Sequence, residues 1–68
     1  MKKLTNTEAW CLSNSVNAIS NIAKSPTASG ALQDRAYALG AATALLEKPR
    51  IHNRVVDLAF KRFYRIWG

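Results

Sequence analysis

The chain reads as an all-α domain of three helices, and three observations predict it. Apolar residues recur at three- and four-residue steps through three stretches, the period of an amphipathic helix. Ser25-Pro26 and Pro49 separate those stretches, because proline cannot continue a helix and the residue before it avoids helical backbone. No alternating run of Val, Ile and Thr persists long enough to mark a strand. The expected helices cover about 6–24, 28–47 and 50–67 of a single domain, 1–68.

The first helix is expected to begin after Thr5. Thr5-Asn6-Thr7-Glu8 fits a capping box, with the Thr5 hydroxyl and the Glu8 carboxylate each serving the other residue's amide. Ala9, Leu12, Val16, Ile19 and Ala23 then mark an inner face, widened by Cys11, Ala18 and Ile22. Ser13, Asn14, Asn17, Ser20 and Asn21 make the opposite, polar face.

The second helix is expected to start between Pro26 and Gly30, with Ser25 or Ser29 as cap, and to run to about Glu47. Leu32, Leu39 and Leu46 repeat every seventh residue, with Ala36 and Thr43 between them. Ala36, Gly40 and Ala44 form a strip of small side chains on which another helix backbone can come close. Ala36, Leu39, Gly40 and Leu46 also match the spacing of a DNA-reading helix-turn-helix. Pro49 would cut its recognition helix short, however, and Ala41-Ala42-Thr43-Ala44 offers few groups for base edges. One continuous helix with Gly40 at a close contact is the preferred reading.

The third helix follows Pro49, with Lys48 a poor cap. Ile51, Val55, Leu58, Ala59 and Ile66 form its inner face, extended by Phe63, Val56, Trp67 and Phe60. Arg50, Arg54, Lys61 and Arg65 line up opposite, with Asp57 beside them. Arg62 falls on the apolar side, where its stem must reach out to water or pair across an interface.

At 68 residues the chain can build only a small core. A single cysteine excludes an internal disulfide, and Cys11 with His52 falls short of a structural zinc site. With 49% hydrophobic residues, self-association as a homodimer, through the alanine strip or the aromatic end of the third helix, or a tight complex with a larger partner is expected. The start, Met1-Lys2-Lys3-Leu4, is not followed by an apolar stretch, so no signal peptide is expected. The weakly polar run Ala36 to Leu46 is about half a membrane span. A cytoplasmic protein with no membrane contact is therefore expected.

Charge is unevenly placed. The formal net charge is +6, and Lys48, Arg50, Arg54, Lys61, Arg62 and Arg65 crowd the segment Lys48 to Gly68 against one acid, Asp57. Such a concentration marks a contact surface for something anionic. The candidate contact residues are Arg50, Arg54, Lys61 and Arg65, whose guanidinium and ammonium groups suit carboxylates or phosphates. Tyr64 on the charged side joins them as a candidate functional aromatic, and Trp10 on the asparagine face either marks a binding surface or folds under the third helix. No catalytic residue, metal ligand or cofactor is expected: the chain has no paired-carboxylate site, phosphate-binding glycine loop or oriented nucleophile. Two functions follow. The first is a non-enzymatic inhibitor or adaptor docking on a larger protein or nucleoprotein complex. The second is nonspecific binding of DNA or RNA through phosphates.

Overall fold

Three α-helices follow one another in chain order in the computed structural model, which describes residues 3–68. Met1 and Lys2, part of the charged start weighed as a signal sequence, lie outside the described residues. The helices are α1 (Asn6–Lys24), α2 (Ala28–Ala42) and α3 (Pro49–Trp67), with a 3-10 turn at Thr43–Leu45. Contacts between named residues set their directions. Ser15 meets Ala38, so α2 runs back along α1; His52 meets Ala42, so α3 runs back along α2. Glu8 meets Lys48 and Ile22 meets Trp67, so α1 and α3 lie side by side and parallel.

The capping box of α1 forms as expected. The Glu8 amide donates to the Thr5 hydroxyl at 3.1 Å, and the Thr5 amide donates to Glu8 Oε1 at 2.8 Å. The cap of α2 is Thr27, whose hydroxyl accepts the Gly30 amide at 3.0 Å. Ser25 instead donates its hydroxyl to the Thr27 carbonyl, and Ser29 lies inside the helix. Pro49 takes the first position of α3, where its missing N–H costs nothing.

α2 ends at Ala42 and not near Glu47. Two side chains take carbonyls at its last turn: the Thr43 hydroxyl donates to the Gly40 carbonyl at 2.7 Å, and His52 Nδ1 stands 2.8 Å from the Ala42 carbonyl. The chain tightens into the 3-10 turn and then meets Pro49, before which Lys48 leaves helical backbone. Gly40 sits within regular helix and makes no turn, so the helix-turn-helix is not formed.

The core is built largely of alanine. Ala18, Ile19, Ala38, Ala42, Leu45, Val55 and Ala59 cluster at its centre, flanked by Leu4, Leu12, Leu39 and Ile51. Both expected inner faces are turned from where the apolar spacing put them. On α1 the buried line is Glu8, Ser15, Ala18, Ile19 and Ile22, which leaves Ala9, Val16 and Ala23 exposed. Two polar residues can enter it because each is satisfied. Ser15 Oγ donates toward the carbonyls of Cys11 and Ala38, at 2.9 and 3.2 Å, and Glu8 is paired as described below. On α2 the buried line is Ala31, Ala38 and Ala42, while Leu32 and Leu46 are exposed. Small side chains there let the helices approach closely, which no row of leucines allows.

The strip Ala36, Gly40 and Ala44 faces away from the bundle. A Cβ added at Gly40 would have no heavy atom within 4 Å, so the expected close contact is not an intramolecular one. On α3, Val55 and Ala59 are buried, while Leu58 and Ile66, expected inside, are exposed. The apolar arc of α3 is wider than its two neighbours cover.

Candidate functional site

The basic ridge forms on α3 as one exposed line. Arg50, Arg54, Lys61 and Arg65 are four or seven residues apart, which places them on one helical face, and all four are exposed. Lys61 Nζ pairs with Asp57 Oδ2 at 2.9 Å, one turn back and open to solvent. Among the described residues Arg50, Arg54 and Arg65 form no ion pair. Tyr64, also exposed, lies beside the ridge.

Next to this ridge an open groove of ≈ 440 Å³ runs between α1 and α3. Its floor is apolar: Leu12, Val16 and Ile19 from α1, and Ile51, Val55 and Leu58 from α3. Arg54, Asp57 and Lys61 form its charged edge. Val16 is 49% exposed and Leu58 42%. Two of the four ridge residues therefore border an apolar depression. The sequence spacing missed this because it assigned Val16 and Leu58 to the core.

Trp10 is 67% exposed and does not fold under α3. Its asparagine companions stay together without it. Asn14, Asn17 and Asn21 line a second, polar cleft against Asp34 and Tyr37 of α2, and Trp10 stands outside it, nearer the start of α1. The structure thus does not bring Trp10 to the basic ridge.

Two charged residues have structural roles that their sequence positions did not announce. Lys48, one of the basic cluster, turns inward: its Nζ donates to both carboxylate oxygens of Glu8, at 2.7 and 3.0 Å, and joins the first turns of α1 and α3. The Lys48 ammonium, together with the Thr5 amide, holds the Glu8 carboxyl below its usual 4.5 against the opposing effect of burial. Arg35 of α2 spreads its guanidinium over Phe60 and Phe63 at 4.8 and 4.6 Å from the ring centroids. This cation covers aromatic area that α3 would otherwise expose.

Cys11 is free and half-buried. His52 is half-buried and engaged with the Ala42 carbonyl, with Nδ1 carrying the proton in that bond. The two lie on different helices in packing positions. Among the described residues, no group of His, Cys, Asp or Glu gathers as a metal site, and no helix is long and apolar enough to cross a membrane.

Comparison with protein families, with curated proteins and with solved structures finds no match to this chain.

Proposed function

We propose that the chain is a non-enzymatic basic binding module, an inhibitor or adaptor that docks on a larger protein or nucleoprotein complex through the outer face of α3. One observation carries this reading: three unpaired arginines and Lys61 stand on a single exposed ridge directly beside an apolar groove. Phosphate binding uses the ridge alone. Protein docking uses both, since interfaces combine apolar anchors with a charged rim. The large side chains left outside an alanine core, Trp10, Leu46 and Tyr64 among them, point the same way.

Nonspecific binding of DNA or RNA is the second reading. The +6 charge and the unpaired arginines favour it. The two readings separate on salt. A complex held by about four phosphate contacts loses affinity with a log–log slope of about −3 to −4. A docked protein complex with an apolar centre responds much less. Recovery of the partner from the native host by pull-down and mass spectrometry, followed by a salt titration of the purified pair, decides between them.

Self-association is proposed for the exposed small-residue strip that starts on α2. Ala36, Gly40 and Ala44 are exposed there and leave room for a second helix. Sedimentation should report a homodimer that Gly40→Leu dissociates; a monomer at every concentration removes this part of the proposal. A cytoplasmic setting is proposed with it, on the free cysteine.

A further inference from the structure

We propose that the groove between α1 and α3 seats an acidic amphipathic helix of a partner protein. This rests on the docking function above and names both the surface and the chemistry of its occupant. The floor calls for apolar anchors: Leu12, Val16 and Leu58 present aliphatic carbon, and Val16 and Leu58 are substantially exposed in a domain whose centre is alanine. The length calls for a helix. Along α3 the lining runs from Ile51 to Lys61, about 15 Å at the helical rise, which matches about three turns of a docked helix. A helix laid in such a groove sends residues at i, i+3, i+4 and i+7 to the floor and its flanking residues to the rim.

The rim calls for carboxylates. Arg54 has no acidic partner among the described residues, and Lys61 has only the solvent-exposed Asp57. Arg50 and Arg65 prolong the positive edge beyond both ends of the groove. A second copy of this chain fits poorly. It brings its own +6 charge, and of its four acids Glu8 and Asp57 are already engaged. A nucleic acid would satisfy the rim but leave the Val16–Leu58 floor in water.

The test uses the full chain and a fluorescein-labelled helical peptide of about 15 residues, with leucines on the i, i+3, i+4, i+7 face and glutamates flanking them. A peptide of the same composition in shuffled order is the control. Anisotropy should give a dissociation constant on the order of micromolar for the ordered peptide and at least about tenfold weaker binding for the shuffled one. Val16→Lys and Arg54→Glu should each weaken binding about tenfold. Circular dichroism should show the fold unchanged, because both side chains are exposed. Leu58→Lys serves as an independent probe of the floor. Equal binding of ordered and shuffled peptides, or indifference to Val16→Lys and Leu58→Lys, overturns the proposal. So does displacement of the peptide by a duplex oligonucleotide with no effect of the floor variants, or a dimer that Val16→Lys converts to monomer. With the native partner the two levels separate. Loss of capture on combining Arg50→Glu with Arg65→Glu, but not on Val16→Lys, keeps docking and removes the groove; loss with neither removes both.

Discussion

Trp67 donates its indole N–H to the Ile22 carbonyl at 3.3 Å, an acceptor that α1 itself cannot satisfy. The residue four ahead of Ile22 is Pro26, which has no N–H to give. The helix breaker of one segment thus creates the anchor point for the last turn of another. Trp67→Phe keeps most of the aromatic surface and removes the donor. It should lower stability by about 1 kcal/mol in urea or thermal melts. No change would mean that water serves this carbonyl equally well.

The Glu8–Lys48 pair predicts an acid-sensitive fold. The Glu8 carboxyl is held below 4.5 in the folded chain, with the Lys48 ammonium as the largest cause. Its stabilising contribution is fully present above the unfolded value of 4.5 and is lost as pH falls through the lower folded value. Melting temperature should therefore drop below about pH 4.5, and Glu8→Gln should be less stable at neutral pH with a flatter acid limb. Lys48→Met should do the same. A parent and a Glu8→Gln variant with parallel pH profiles would contradict this.

Ser15 separates size from polarity at the α1–α2 contact. Its hydroxyl bonds only to backbone carbonyls, and it lies fully buried against Ala38. Ser15→Ala should change stability by less than about 1 kcal/mol, because no donor is stranded. Ser15→Leu should cost about 1–3 kcal/mol or more by forcing the helices apart. Denaturant midpoints of the two variants give the comparison; similar losses would place the contribution in the hydroxyl.

Thr27 and Gly40 test local helix chemistry on α2. Thr27→Ala should cost about 1 kcal/mol by uncapping the Gly30 amide. In the monomer, at low concentration, Gly40→Ala should add about 0.5–1 kcal/mol, since the new methyl enters open space on a regular helix. Both are read as shifts in thermal midpoint, in opposite directions.

The ridge variant combining Arg54→Glu with Lys61→Glu should abolish partner binding and leave helicity intact. Both side chains are exposed, and the local penalties are the loss of the open Lys61–Asp57 pair and new repulsion of Asp57 by positions 54 and 61, each about a few tenths of a kcal/mol. Binding is measured by pull-down and helicity by circular dichroism. Lost helicity would assign these residues to the fold.

What the sequence made legible was local. The Thr5–Glu8 capping box, Pro49 at a helix start and the alignment of Arg50, Arg54, Lys61 and Arg65 all depend on spacings of one or a few turns. The misplaced faces have a tertiary cause. Ser15 and Glu8 enter the core only because Ala38 and Lys48 await them from distant segments, and an alanine-built core leaves the leucine and valine periodicity pointing partly outward. The last turn of α2 takes a carbonyl partner from His52 as well as from local Thr43, and the covering of Phe60 and Phe63 comes from Arg35. The groove was illegible for the same reason: it exists where Val16 and Leu58 fail to meet.

The parallel pairing of α1 and α3 has a kinetic consequence. Its two ties, at Lys48–Glu8 and Trp67–Ile22, join positions 40 and 45 residues apart, whereas α1 and α2 meet across a short turn. Loop closure therefore favours the α1–α2 and α2–α3 hairpins as early structure, with the α1–α3 ties forming last. Substitutions at the far tie then accelerate unfolding and leave refolding speed nearly untouched, so that the lifetime of the native state, more than its rate of formation, rests on the chain's final turn.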